Sequence, residues 1–316
     1  MRPRAFAIAA AFAFLLAACG SSTGPGLPTQ AASSAAPGGS LPLESAGTAT
    51  VIPEIVSSQQ VVGPNRFLFS FLDPRTNLPS ATPDRTAAVA FIAPGQSGTG
   101  PAIDGTFVWG IAGTVGVYVA NVDFPTAGDW TAVFVTQLVG KPREAIGVAF
   151  QVQDKGTTIA VGDKAPASVT PTAASVSGDL ARLSTDPSPN PAFYQLSIAD
   201  ALVQGRPFVL AFATPAFCTS RQCGPTLDVV KAVAKTAPGS VAFIHVEPYK
   251  VIFTNGKLQP DLAKNQFQPV DAVNQWGIVS EPWVFTVDRT GIVRGSFEGI
   301  VGEDELRAAI AVIAGS

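Results

Sequence analysis

The strongest constraint on this 316-residue chain is a change of hydrophobic period part-way along it. From Ala49 to about Asp154, short runs rich in Val, Phe, Tyr and Thr alternate with clusters of Pro, Gly, Asn and Asp. Val61 to Leu72, Ala87 to Ala93, Val115 to Phe124, Trp130 to Leu138 and Ile146 to Gln153 each read as strands. Gly116 to Phe124 alternates at period two, and Pro125-Thr126-Ala127-Gly128-Asp129 then turns the chain into Trp130-Thr131-Ala132-Val133-Phe134. Such a pattern predicts an antiparallel sandwich over residues 49–155. From about residue 191 the period lengthens. Tyr194 to Ser197 reads as a short strand, Ile198 to Val203 as a helix ended by Gly205, and Phe208 to Phe212 as a buried strand. Pro225 to Lys235 is an amphipathic helix with Leu227, Val230, Val233 and Ala234 on one side, followed by a strand at Val241 to Val246. Asp271 to Trp276 is helical, Trp283 to Val287 and Gly291 to Phe297 form a hairpin, and Glu303 to Ile313 is a closing helix. Between the two regions, residues 156–190 have the Pro, Ser and Thr content of a linker or extended lead-in.

The chain starts with Arg2 and Arg4, an apolar stretch from Ala5 to Ala18, and the tetrapeptide Leu16-Ala17-Ala18-Cys19. This resembles a bacterial lipoprotein signal, which implies cleavage before Cys19 and a diacylglycerol thioether on its sulfur. Residues 1–18 are then the signal peptide, and 19–48, poor in charge and aromatics, a flexible tether. The expected location is extracytoplasmic, with the chain held on a bacterial membrane by lipid. Loss of Arg2 and Arg4 leaves 18 basic against 23 acidic side chains, a balance that gives no reason to expect nucleic-acid binding. Once Cys19 is the anchor, two cysteines remain in an oxidising compartment, and a disulfide between them is the default expectation.

Those two are Cys218 and Cys223, in Phe217-Cys218-Thr219-Ser220-Arg221-Gln222-Cys223-Gly224-Pro225, directly after the Phe208 to Phe212 strand. Residues five apart in a continuous helix rise about 7.5 Å, beyond the roughly 4.4 to 6.8 Å a disulfide spans, so the segment between them must leave helical geometry. With Gly224-Pro225 suiting a helix start, Cys223 lies nearer the helix N-terminus and Arg221 adds positive charge, which makes Cys223 the expected lower-pKa thiol and Cys218 its partner. Against the thioredoxin motif, which this loop resembles, counting from the strand end puts Cys218 near the nucleophile position, while counting from the Gly-Pro pair puts Cys223 there, with Thr226 where the partner cysteine would stand.

The order of elements, the cysteine loop and the segment Ser280-Glu281-Pro282-Trp283 before an apolar strand together resemble the thioredoxin-like, membrane-anchored thiol-disulfide oxidoreductases. The expected fold class is therefore two domains, an N-terminal immunoglobulin-like β-sandwich and a C-terminal α/β thioredoxin-like fold. The resemblance implies that Cys218 and Cys223 are catalytic and that Pro282 is cis and borders a substrate groove. It also implies that Glu281 lines that groove and that Phe217 shields the active sulfur. It implies no cofactor and no metal; the partners are cysteine-containing envelope proteins or a membrane electron donor. The family's buried acid beneath the cysteines has no obvious counterpart. Two alternatives stand beside this reading. One is a binding or scaffold lipoprotein with a structural disulfide, and the other a copper-handling protein similar to Sco chaperones. The latter needs a distal histidine, and the only histidine, His245, lies in an apolar strand that marks it as a core residue. Asp123 and Asp129 flank a turn and read as solvated or capping residues.

Overall fold

The computed structural model describes residues 49–315. The signal-like segment, Cys19 and the tether lie outside the described residues. The described chain is mostly β-structure with few helices. No helix among the described residues is long and apolar enough to cross a membrane.

Eight strands make the first half: β1 Ile52–Ile55, β2 Gly63–Leu72, β3 Arg85–Ile92, β4 Ile103–Asp104, β5 Thr106–Ile111, β6 Val115–Phe124, β7 Gly128–Leu138 and β8 Glu144–Val152. They form two antiparallel four-stranded sheets, ordered β1-β2-β6-β5 and β4-β3-β7-β8. Alternation puts Phe67, Phe69 and Phe71 of β2 on one face, and they meet Val89 and Phe91 of β3 and Phe134 of β7 in a shared core. Tyr118 is buried among these rings, and its hydroxyl reaches the carbonyls of Thr82 and Arg85, each at 3.0 Å. Five of the strands lie within two residues of the bounds expected from sequence. The three others were not legible: β1 contains Pro53, β4 is two residues long, and β5 is interrupted by Gly110.

The second half is built around a mixed sheet. Its elements are α1 Ile198–Val203, β9 Phe208–Phe212, α2 Cys223–Ala234, β10 Ala242–Val246, the hairpins β11 Val251–Thr254 with β12 Lys257–Pro260 and β13 Leu262–Ala263 with β14 Gln266–Phe267, then α3 Asp271–Trp276, β15 Trp283–Val287, β16 Val293–Glu298 and α4 Glu303–Ala314. The sheet order is β10-β9-β15-β16, with β10 parallel to β9 and β15 antiparallel to both its neighbours. Every residue of β9 is buried because both faces are covered. Leu227, Val230 and Val233 of α2 and Leu306, Ile310 and Ile313 of α4 pack on the face that carries Val209 and Ala211. Ile198 of α1 and Trp276 of α3 pack on the opposite face, against Phe208, Leu210 and Phe212.

Residues 156–190 lie against this sheet. Gly162 N–H donates to Val293 O and Val293 N–H to Asp163 O, both at 2.9 Å, and Ala165 N–H donates to Gly291 O at 2.8 Å. The strand expected at Tyr194 to Ser197 is instead a 3-10 turn at Pro191–Tyr194. Pro191 has no N–H to give a ladder, and the Asn190 side chain caps the turn by accepting from Ala192 N–H at 3.1 Å.

Ile300 packs with Leu68, Val117 and Val119 across the two halves, and Arg66 and Glu298 add polar ties. The Arg66 guanidinium of β2 donates to both carboxylate oxygens of Glu305 at 2.6 and 2.8 Å and to Ile300 O at 2.7 Å. Glu298, at the end of β16, accepts from Ser58 N–H at 2.9 Å through one oxygen and from the Ser280 hydroxyl at 2.7 Å through the other.

The turn after β15 is organised by Asp288, which is 1% exposed. Its carboxylate accepts from Thr290 N–H, the Thr290 hydroxyl, Ile292 N–H and Arg294 Nε at 2.8, 2.6, 3.0 and 2.6 Å. Burial works against ionisation, but these donors outweigh it and hold the carboxyl at about 2. Asp288→Ala leaves the buried donors unpaired and is expected to cost about 3 kcal/mol in urea denaturation. Because the folded-state value is depressed, the contribution of Asp288 is present above the usual carboxyl range. It is lost as pH falls toward about 2, and the pH dependence of unfolding in the variant should flatten there.

Candidate active site

The chain leaves β9 through buried Ala213 and Thr214 and surfaces at Ala216. Phe217 N–H bonds to Thr214 O at 3.2 Å and Arg221 N–H to Cys218 O at 3.4 Å, which curls the loop. Arg221, at φ 61°, adopts the left-handed region and turns the backbone into α2. The helix therefore starts at Cys223, two residues before the start expected from sequence, with Pro225 in its first turn, where the missing N–H costs nothing. Cys218 is in the loop, and Cys223 is the first helical residue.

Both cysteines are free thiols here, in place of the disulfide taken as the default. Cys223 N–H points at Cys218 Sγ at 3.3 Å, and the Ser220 hydroxyl lies 3.2 Å from the same sulfur. A hydrogen bond from the Cys223 thiol, aided by Ser220 and the N–H groups of Cys223 and Gln222, brings Cys218 down to about 5 although burial opposes it. Cys223 moves strongly upward. It donates to Cys218, it is fully buried, and the charges of Cys218 and Glu281 add to the shift. The expectation that Cys223 is the lower-pKa thiol is thus corrected: the N–H groups of the helix start face the loop sulfur, while the helical sulfur is shut in the core. Arg221, read as supporting charge, is exposed.

The segment before β15 closes the site. The Glu281–Pro282 peptide is cis. The Ser220 hydroxyl reaches Glu281 O at 3.5 Å. A carboxylate oxygen of Glu281 and the two sulfurs all lie within 4.8 Å of one another. Tyr249 donates its hydroxyl to Glu281 Oε2 at 2.6 Å. Burial raises the Glu281 carboxyl above its ordinary range, the Tyr249 bond opposes the rise, and the Cys218 charge adds to it. Glu281, expected to line a groove, thus presents its carboxylate to the sulfurs. Phe217 packs beside Phe267, with centroids 6.2 Å apart, and Phe267 stacks on Tyr249 at 4.7 Å. Neither Phe267 nor Tyr249 was legible as a site residue, because their contact with the loop is made across the β11 to β14 hairpins and leaves no spacing to Cys218 or Glu281. Trp283 is anchored through Nε1–H to the Ser280 hydroxyl at 3.2 Å. Thr226, on the cysteine-equivalent position of the alternative count, donates to Gly299 O at 2.8 Å and ties α2 to the end of β16.

No family model, curated protein or solved structure matches this chain. The remaining candidates sit apart from the sulfurs. His245 is buried in β10, Nε2 lies 2.9 Å from Ala213 O, and Nδ1 lies 2.6 Å from the Tyr194 hydroxyl. Burial lowers its pKa, so the neutral ring donates from Nε2–H and accepts at Nδ1, which occupies both nitrogens. Asp123 and Asp129 are exposed, and Asp129 accepts from Gln151 Nε2–H at 2.9 Å.

Proposed function

We propose that this chain is an extracytoplasmic, lipid-anchored thiol-disulfide oxidoreductase, with a thioredoxin-like C-terminal half carried on an immunoglobulin-like sandwich. The fold assignment is supported by the strand order β10-β9-β15-β16, helices on both faces, and cysteines at the β9 to α2 junction. The observation that carries the activity is the loop thiol aimed at by a helix-start N–H, with a second thiol directly behind it.

In the reducing direction, the Cys218 thiolate attacks one sulfur of a substrate disulfide. A Cys218 to substrate S–S bond forms, and the other substrate sulfur leaves as a thiolate that takes a proton from water. Cys223 then passes its proton to the Glu281 carboxylate and attacks Cys218 Sγ. The protein disulfide closes and the second substrate thiolate is released, so two electrons have moved from the dithiol to the substrate. The reverse sequence oxidises a substrate dithiol. The substrates are cysteine-containing envelope proteins or a membrane electron donor, and the lipid on Cys19 keeps the site near them.

Equilibration with glutathione buffers, followed by thiol alkylation and mass analysis, tests this reading. The expected reduction potential falls in the roughly −120 to −270 mV range of exchangers. A pair still oxidised well below about −300 mV is a structural bridge, and the scaffold reading then replaces this one.

A further inference from the structure

We propose that Cys218, Cys223 and Glu281 form a binding site for a thiophilic divalent ion of the Zn2+ class, available only while both cysteines are reduced. The two sulfurs and a Glu281 carboxylate oxygen already lie within 4.8 Å of one another. A tetrahedral ion with S and O ligands sets its donors roughly 3.4 to 3.8 Å apart, so the group has at most about 1 to 1.4 Å to close. Cys218, in the loop ahead of the helix and only partly buried, is free to supply that movement. Four residues separate the cysteines, within the gap of two to four that zinc sites use.

The third donor is held in place. Tyr249 donates to Glu281 Oε2, and Phe267 stacks on Tyr249. Support of a ligating carboxylate from behind is how outer groups fix metal ligands. Buried Cys223 closes one side, and the partial exposure of Cys218 and Glu281 leaves the other open to a water as fourth ligand. The oxygen donor selects Zn2+ over Cu+, which is satisfied by sulfur alone. Binding replaces the Cys223 proton with the ion and releases that proton to solvent. Oxidation of the pair by a disulfide-class oxidant joins the two donor sulfurs, reduces the oxidant to two thiols and expels the ion. The site does not depend on exchange activity, which is judged by the reduction potential of metal-free protein.

The test uses the full chain as purified, reduced and stripped with chelator. Co2+ is titrated for thiolate-to-metal absorption, and Zn2+ is titrated against a chromophoric chelator. One ion per chain is expected. Cys218→Ser or Cys223→Ser should lower affinity at least about 100-fold, and Glu281→Gln about tenfold or more, while the disulfide form binds none. If Glu281→Gln does not fold, Tyr249→Phe carries the same test with a severalfold loss. Unchanged affinity in the foldable variant, one ion shared by two chains, or no binding at micromolar Zn2+ overturns the proposal.

Discussion

Cys223→Ser is expected to turn the protein into a covalent trap. With Cys218 as the attacking sulfur and Cys223 buried behind it, the first step proceeds and the second has no thiol to complete it. Incubation with a disulfide-containing protein should accumulate a mixed disulfide approaching one per chain. Non-reducing electrophoresis detects it, and peptide mass analysis places the bond on Cys218. The wild-type chain should show only transient adduct, and Cys218→Ser none. If Cys218→Ser is the variant that traps substrate, the buried thiol attacks first and the assignment of roles is reversed.

The second large effect is in pH. An ordinary cysteine gains alkylation rate with pH until its pKa near 8.5 is passed. Cys218, brought down to about 5, should show a half-rise near that pH and a flat rate from about pH 7 upward. The sign follows from stabilisation of the thiolate by donated hydrogen bonds, so acidification below about 5 should silence the sulfur. Low-pKa thiolates are intrinsically weaker nucleophiles, which makes the position of the half-rise, and not the plateau rate, the diagnostic quantity. Iodoacetamide labelling with mass analysis across pH 4 to 9 reads both sulfurs at once, and Cys223 should stay unlabelled throughout. A half-rise for Cys218 near 8.5 contradicts the geometry.

Much of the fold was legible because burial leaves a period in the sequence. The alternation of β6 and the apolar run of β9 needed only their own residues to be read, and both bounds came out as expected. The hairpin of β11 and β12 carried a readable turn, Asn255-Gly256 with both residues at positive φ, that an apolar-period reading passes over, and β13 and β14 are too short, at two residues each, to show a period. The site was legible as a set of residues but not as an arrangement. Cys218, Cys223, Glu281 and Pro282 could be singled out, yet which sulfur carries the charge depends on which one receives the other's thiol proton and the helix-start N–H groups, an arrangement set by the turn at Arg221. The chemical setting of Glu281 depends on Tyr249, thirty-two residues earlier and ahead of the β11 to β14 hairpins. Contacts of this kind are made through space and leave no spacing to count.

The carboxylate of Glu298 is shared between Ser58 of the sandwich half and Ser280, the residue before Glu281. The segment carrying Glu281 and Pro282 therefore cannot swing away from the sulfurs as a free loop does, on the nanosecond scale, without breaking that bond or dragging the sandwich along. Moving that segment off the sulfurs thus carries the cost of a contact made on the other half of the chain, so a change at Ser58 is felt at thiols far along the sequence.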